Sequence, residues 1–363
     1  MKFANSKELN DYINELVDIN ELNLSISDLL VSIMDNKKIT SKKEIEILTK
    51  SSGYSSRDIF LNKIIDYLDI DMSVEDNQFV FDEHIARSIK EVDINRYLEN
   101  PYYKTIKISD IKDGNFELIY DHYEGYEIFP YLDMSDDNFI EKNSLGYFKD
   151  EFKFIALNYQ GVTWMSITPN EIETMQEAVN RVQGDILVFG LGLGYFPFMA
   201  SLKKEVKKIT IIEKDQKIIN LFKKHLLPQF PHREKIEIIN DDASHYLNID
   251  LKYDYAFIDL WHDTSDGIEW FLSFKKSEAK QDKCQFLYWL EPSFYLYLRR
   301  CFISLICESL EGYGDSHYQK SKTIDDKIIN KFYWASKNLV ISNKVQLHNL
   351  LSNKSLLDLL LNH

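Results

Sequence analysis

Glycine and proline are scarce in this 363-residue chain, at 12 and 7 residues. That scarcity excludes a collagen-like repeat and a long disordered linker. Cysteine is scarcer still: Cys284, Cys301 and Cys307 form no Cys-x-x-Cys pair and leave one odd thiol. Such usage fits a reducing compartment better than a disulfide framework. Positive charge is in deficit, with 43 Lys and Arg against 58 Asp and Glu and a formal net charge of -15. A chain this acidic is a poor candidate for tight, backbone-driven binding of nucleic acid. No apolar run reaches the roughly 18 residues that a membrane helix needs. The opening Met1-Lys-Phe-Ala-Asn-Ser-Lys-Glu8 turns charged at once, with no apolar secretory segment. The expectation is a cytoplasmic protein with no membrane partner and with nucleic acid disfavoured. What is present is ordinary: 44% hydrophobic and 28% charged residues, enough for a sizeable core and two or three domains.

The chain is organised around Asp185-Ile-Leu-Val-Phe-Gly190-Leu-Gly192-Leu-Gly194-Tyr195. Ile186 to Phe189 reads as a buried strand, the three alternate glycines as a tight turn, and Phe196 to Lys204 as the start of a helix. Glycines let a ligand lie against bare peptide groups, and a helix start adds free N–H groups and a positive dipole end. One glycine triplet is a weak signal, so its weight depends on what stands at fixed distances from it.

Residues 1–100 read as short helices, with Leu9, Tyr12, Ile13 and Leu16 at helical spacing and Ser25 and Ser27 able to cap a segment over 28–34. Asn100-Pro101-Tyr102 reads as a helix stop. Residues 101–165 turn β-rich, through Tyr103-Lys-Thr-Ile-Lys-Ile, Phe116-Glu-Leu-Ile-Tyr and Phe152-Lys-Phe-Ile-Ala-Leu, with turns at Asp113-Gly114 and Gln160-Gly161. A small antiparallel sheet follows from that pattern. Thr168 before Pro169, with Glu171 three residues on, predicts a capping box on an amphipathic helix leading into the glycine stretch. From there to about residue 290, strands at 208–213, 235–240, 253–259 and 284–290 alternate with helices, which implies a parallel sheet covered on both faces. The rest is helical, with a late strand at 332–335 or 338–341. The domains are read as 1–100 helical, 101–165 small and β-rich, 166–310 the parallel sheet, and 311–363 a helical extension.

Several acids fall at strand ends, where ligands bind in such sheets. Glu213 lies 19 positions after Gly194 and can accept two hydrogen bonds from vicinal ribose hydroxyls; a water-facing strand end is the plainer alternative. Asp242 could accept from an adenine amine, with the Ala243 N–H on a ring nitrogen, or simply cap the segment 243–247; Asp241 competes for that role. Asp259 could face a cation, steer an attacking amine, act as a base, or cap a turn. His262 is a candidate proton acceptor, or a structural histidine beside Trp261. The nine histidines show no metal-ligand spacing, so no metal is expected. Lys203, Lys204, Lys207 and Lys208 form a basic cluster that fits a solvated helix face.

Residues of about 155–290 resemble a class I S-adenosylmethionine-dependent methyltransferase. The resemblance is carried by Gly190-Leu191-Gly192-Leu-Gly194, Glu213 after Ile211-Ile212, Asp242-Ala243 after Ile238-Ile239-Asn240, and Asp259. It implies a Rossmann-like, doubly wound, mostly parallel sheet, with S-adenosylmethionine as cofactor. The glycine loop, with Leu191 and Tyr195, would face the methionine moiety, Glu213 the ribose, and Asp242 with Ala243 the adenine. Asp259 and His262 are then the catalytic candidates. The segment from Trp164-Met165 to Met175 is similar to the lead-in of guanidinoacetate and protein-arginine methyltransferases.

Departures keep other readings open. Val188 stands where many members carry an acid, a feature shared with spermidine synthases, which also place a small β domain before the sheet. Those enzymes usually carry an Asp where this chain has Leu193, and their acidic loop is poorly matched by Asp259-Leu-Trp-His-Asp263. The Pro-Pro of base-methylating enzymes is missing. A dehydrogenase fingerprint fails because Tyr195 occupies its third glycine position. The reading is methyl transfer to a small-molecule or peptide acceptor, with aminopropyl transfer or a non-catalytic scaffold as alternatives; the helical N-terminus and apolar C-terminus could serve a partner or a homodimer. The supply of Tyr195, Phe196, Trp261 and Trp270 would suit a small cation or a peptide side chain.

Overall fold

The computed structural model describes residues 1–36 and 39–362 and shows a mixed α/β chain. Ser6 caps the first helix, α1 (Lys7–Asp35), by accepting from the Leu9 N–H. Ser25 and Ser27 lie inside α1 and cap nothing. Neither glycine nor proline interrupts positions 7 to 35, and an interior serine costs a helix only about 0.5 kcal/mol relative to alanine. The two halves of α1 serve different cores. Leu9, Ile13 and Leu16 join the core around the main sheet, whereas Ile26, Leu30 and Ile33 pack with Phe60, Ile64 and Tyr147 in a second one.

Asn100-Pro101 ends the helix Ile94–Leu98, but it also starts another. The Asn100 side chain accepts from the Tyr102 N–H, and Pro101 opens α2 (Pro101–Thr105). The strand expected from Tyr103 is therefore helical at its start, because a capped proline at the first position pre-sets helical φ.

The longest strands that follow are β1 (Phe116–Tyr123), β2 (Phe152–Tyr159) and β3 (Val162–Ser166). With Ile111–Asp113 they form a four-stranded antiparallel sheet, with β3 at one edge and Ile111–Asp113 at the other. Gln160 and Gly161, at φ 53° and 80°, make the two-residue turn between β2 and β3. Past that turn the β2–β3 register slips between Thr163 and Met165, so Trp164 is an extra, bulged residue. A bulge re-aims a side chain out of the strand's alternation.

From α3 (Pro169–Arg181) the chain enters β4 (Gly184–Phe189), α4 (Tyr195–Ser201), β5 (Val206–Glu213), α5 (Gln216–His225) and β6 (Ile236–Asn240). Then come β7 (Tyr255–Ile258), α6 (Thr264–Glu278), β8 (Gln285–Tyr288) and α7 (Glu291–Leu310). The five strands form one sheet in the order β6-β5-β4-β7-β8, parallel at every neighbouring pair. Ile186 to Phe189 and Ala256 to Ile258 are fully buried, which is why they read as unbroken apolar runs. The chain winds from β4 out to β6, then returns to the other side for β7 and β8. Connections leaving β4 and β7 therefore part in opposite directions and open a crevice at the strands' carboxyl ends.

Beyond the sheet, Phe332 to Ala335 lie in α8 (Ile324–Ser336), whose start is fixed by a capping box between Thr323 and Asp326. Val340–Ile341 is a strand, but it pairs in parallel with Lys2–Phe3 and stands apart from the five-stranded sheet. Among the described residues, no helix is long and apolar enough to cross a membrane.

Candidate functional site

The glycine stretch bends over the carboxyl end of β4 with φ of 93°, 52° and 79° at Gly190, Gly192 and Gly194. Each glycine is needed for its own reason. A Cβ at Gly190 would overlap the carbonyl oxygen of Asp259, and one at Gly194 would overlap the Phe222 ring. Gly192 has no atom within 4 Å of a would-be Cβ. Its peptide faces open space.

Side chains hold this loop from behind. The Tyr102 hydroxyl donates to the Leu193 carbonyl at 2.6 Å, and the Asn100 amide donates to the Tyr195 hydroxyl at 3.0 Å. At the start of α4 the Phe196 ring stacks on Phe257 of β7, with centroids 3.9 Å apart and planes 15° apart. Thus the Asn-Pro-Tyr step, which reads only as a helix boundary, carries a second role. It braces the loop.

Above the loop is a cavity of about 580 Å³. All of the residues singled out as a candidate site line it: Gly190, Leu191, Gly192, Gly194 and Tyr195 from the loop, Glu213 from β5, Asp242 and Ala243 after β6, and Asp259 and His262 after β7. Strand order sorts them. Glu213 and Asp242 lie on the β5–β6 side of β4, Asp259 and His262 on the β7 side.

Glu213 is already engaged with backbone: its carboxylate accepts from the Leu191 N–H at 3.2 Å and the Asp215 N–H at 2.8 Å. It therefore ties the loop to β5 while facing the cavity. Asp242 caps the short turn Ala243–Tyr246 by accepting from the Ser244 N–H at 2.8 Å. Its hydrogen bonds with Ser244 hold it below the usual carboxylate range. Asp241 turns to His245, at 2.7 Å. His262 is exposed and paired with Asp266 at 2.9 Å, while Asp263 and Asp266 form the capping box of α6.

Asp259 behaves differently. Burial pushes its carboxyl up to about 7, against a smaller downward pull from His262. Facing it is Glu171, which burial raises well above the ordinary value, with the nearby Asp259 charge adding to the shift. The expected capping box does not form. Thr168 occupies the N-cap position of α3 without a side-chain capping bond, and Glu171 lines the cavity instead. An acid just upstream of the loop was its only sequence signal, and the capping pattern masked it. Trp164, delivered by the bulge, and Trp289, whose ring N–H donates to Thr174 at 2.8 Å, complete the walls.

The basic cluster is largely structural. Lys203 donates to the carbonyls of Val179 and Asn180 near the end of α3, and Lys208 pairs with Glu237 at 2.6 Å. Among the described residues, one grouping has metal-ligand geometry: His122, Glu124 and Glu151, with ligand atoms within 4.8 Å of one another. All three are exposed, and none lines the cavity.

No protein-family profile and no curated protein sequence matches this chain. Solved structures resemble it over part of its length. A spermidine synthase from Thermotoga maritima aligns at 17% identity over 42% of this chain and 59% of that one, with a TM-score of 0.29. A spermidine synthase in complex with the transition state analogue AdoDATO aligns at 19% identity over 42% of this chain and 60% of that one, with a TM-score of 0.31. The 23S rRNA methyltransferase ErmE aligns at 13% identity over 31% of this chain and 43% of that one, with a TM-score of 0.23. This chain spans less than two thirds of each of these proteins.

Proposed function

We propose that the chain is an S-adenosylmethionine-dependent methyltransferase built on a Rossmann-like, doubly wound sheet. The observation that carries this reading is the cavity itself. The open peptide at Gly192 and the two strand-end acids Glu213 and Asp242 face one space at the switch point of a parallel sheet. Those residues fit an adenosyl ligand. A Cβ at Gly192 would project into the room that such a ligand needs. Each carboxylate has more acceptor capacity than its backbone partners use, so Glu213 can brace the loop and still take ribose hydroxyls. Asp242 can likewise cap its turn and take an amine, with the Ala243 N–H beside it. The loop backbone and Tyr195 would hold the amino-acid end.

S-adenosylmethionine bound there supplies a methyl group on a sulfonium, which is already a good leaving group. The protein's work is therefore to align an acceptor and exclude water, which explains a site without a strong nucleophile or triad. Trp164, Trp261 and Trp289 are among the cavity's walls. Asp259 is placed to hold an acceptor's proton, and His262 with Asp266 to pass it to solvent.

Aminopropyl transfer from decarboxylated S-adenosylmethionine is the second reading. It is favoured by Val188, which lines the cavity where an acid could otherwise hold the amino-acid end. Calorimetric titration with S-adenosylmethionine, its decarboxylated form, S-adenosylhomocysteine and NAD separates the readings. Micromolar binding of S-adenosylmethionine and S-adenosylhomocysteine is the expected result. Preference for the decarboxylated form moves the assignment to aminopropyl transfer. Binding of none of the four leaves a scaffold.

A further inference from the structure

We infer that a second cavity, beside the C-terminal helix, binds a singly charged carboxylate with an apolar tail. This cavity shares no described lining residue with the one over the glycine loop.

Its construction begins with spacing on α8. Lys327, Asn330, Lys331 and Trp334 recur at intervals of three and four, so they share one face of that helix. Ile328, Phe332 and Ser336 form another face and are fully buried, which anchors α8 to the main core. Leu359 and Leu360 of α9 (Asn353–Leu361), with Ser321, complete the described lining of a space of about 460 Å³. That size suits a small molecule.

The first ground is charge. Six acids line the cavity over the glycine loop, whereas this one has two lysines and no acid among its described lining residues. The chain as a whole carries a formal net charge of -15, so the site runs against its surroundings. Lys327 and Lys331 stand four positions apart on α8, where like charges repel. Lys327 is paired with Glu269 at 3.4 Å, but both side chains are more than half exposed, and such a pair contributes little. Lys331 has no ion pair or hydrogen bond among the described residues. One positive charge is thus left to be answered. A carboxylate matches it, whereas a phosphate monoester brings about two negative charges.

The second ground is the surface beside the lysines. Trp334 is 42% exposed, yet its ring is held in place. The indole N–H donates to the Tyr318 carbonyl at 3.4 Å, and the Lys337 ammonium lies 4.1 Å from the ring centroid. A fixed, half-open indole with Leu359 and Leu360 offers apolar surface that gains by being covered. Ser321 adds a donor: its Oγ accepts from the Asn330 amide at 2.7 Å, which leaves the hydroxyl proton to give. A small hydrated anion would leave the indole and the leucines in water. An alcohol would leave Lys331 unanswered, and a cation would be repelled. A molecule that is anionic at one end and apolar along the rest meets every part of the lining.

The test uses octanoate as probe, with octan-1-ol, octylammonium and octyl phosphate as controls, titrated calorimetrically into the full chain at pH 7.5. Octanoate is expected to bind at least tenfold more tightly than the alcohol or the ammonium, and more tightly than the phosphate. Replacing both lysines, Lys327→Gln with Lys331→Gln, should cost octanoate at least tenfold and leave octan-1-ol within about twofold. Both side chains are exposed, so the fold should survive, and circular dichroism checks that it does. The chain has five tryptophans. Octanoate should change the fluorescence of the parent, and Trp334→Phe, which keeps a ring in the wall, should lose most of that change. Saturation with S-adenosylhomocysteine should leave octanoate affinity as it was. Equal binding of octanoate and octan-1-ol would overturn the inference by reducing the site to a groove without charge selection. Unchanged octanoate affinity in the lysine variant, or exclusion of octanoate by S-adenosylhomocysteine, would place the anion elsewhere and overturn it as well. Tighter binding of octyl phosphate would overturn the carboxylate assignment, and no binding of octanoate at millimolar concentration would overturn the site.

Discussion

The carbonyl oxygen of Asp259 occupies the place that a Cβ would need on Gly190. These residues end adjacent parallel strands, and the Asp259 N–H donates to the Phe189 carbonyl at 2.9 Å. Strand pairing thus pulls the candidate catalytic backbone directly against the first glycine of the loop. The contact fixes where the Asp259 side chain begins, and so ties the loop to the carboxyl pair.

Gly190→Ala should therefore fail by overlap as well as by its φ of 93°. Left-handed strain alone costs on the order of 1–3 kcal/mol, and the clash with main chain adds to it. Gly192→Ala is the control, since its φ of 52° lies where alanine is strained only mildly and nothing stands within 4 Å. Urea denaturation should show Gly190→Ala losing several kcal/mol and Gly192→Ala about 1 kcal/mol. S-adenosylhomocysteine affinity should fall for Gly192→Ala despite its intact fold. Equal stability of the two variants would show that the Asp259 carbonyl gives way.

Glu213→Ala should weaken S-adenosylmethionine binding at least tenfold. It also removes the acceptor for the Leu191 and Asp215 N–H groups, a loss of about 1–3 kcal/mol in stability. Glu213→Gln can still accept from both N–H groups, so it should recover most of the stability but less of the affinity. Calorimetry and denaturant midpoints measure the two effects separately. Unchanged affinity in the alanine variant would remove Glu213 from the ribose.

Stability should depend on pH through Asp259. Its carboxyl is raised from 3.8 to about 7 in the fold. Below about pH 4 both folded and unfolded chains hold the proton, and burial costs nothing. As pH rises, the unfolded chain releases it first, so stability falls until about pH 7 and then levels. The charged groups that act with it are Glu171 and His262. Asp259→Asn lacks this slope. Its advantage over the parent should be near zero at pH 4 and on the order of 2 kcal/mol at pH 8, less than the full shift because the cavity admits water. Parallel stability profiles for the two proteins would mean that Asp259 is ionised freely in the fold.

The parallel sheet was legible because its signals are local. Ile186 to Phe189 and Tyr255 to Ile258 are short apolar runs ended by glycine or acid, and the alternation with helices repeats four times. The cavity residues were legible for the same reason, being fixed to strand ends at regular spacing. What escaped depends on contacts that sequence spacing does not record. Tyr102 reaches Leu193 across 91 positions. Glu171 sits in a pattern that suits a cap equally well, and only the buried space beside Asp259 decides its direction. The length of α1 escaped because the serines that favour caps are also tolerated within helices when nothing else stops them.

Tyr102→Phe tests the brace behind the loop. The Tyr102 ring is fully buried and packs edge-on against Tyr195 and Phe198, with centroids at 5.6 and 5.2 Å. Phenylalanine keeps that packing and deletes only the hydroxyl that donates to the Leu193 carbonyl. Leu193 is itself buried, so its carbonyl would lose its partner where water reaches poorly, at a cost of about 1–3 kcal/mol. Tyr102→Ala would remove the ring as well and should cost roughly 3–5 kcal/mol. The phenylalanine variant should also bind S-adenosylhomocysteine several-fold more weakly, because the loop carbonyl is no longer held in one orientation. Denaturant midpoints read the first effect without reference to any ligand, and calorimetry reads the second. If the phenylalanine variant loses stability but keeps its affinity, the hydroxyl supports the fold and the loop holds its shape through its glycines alone.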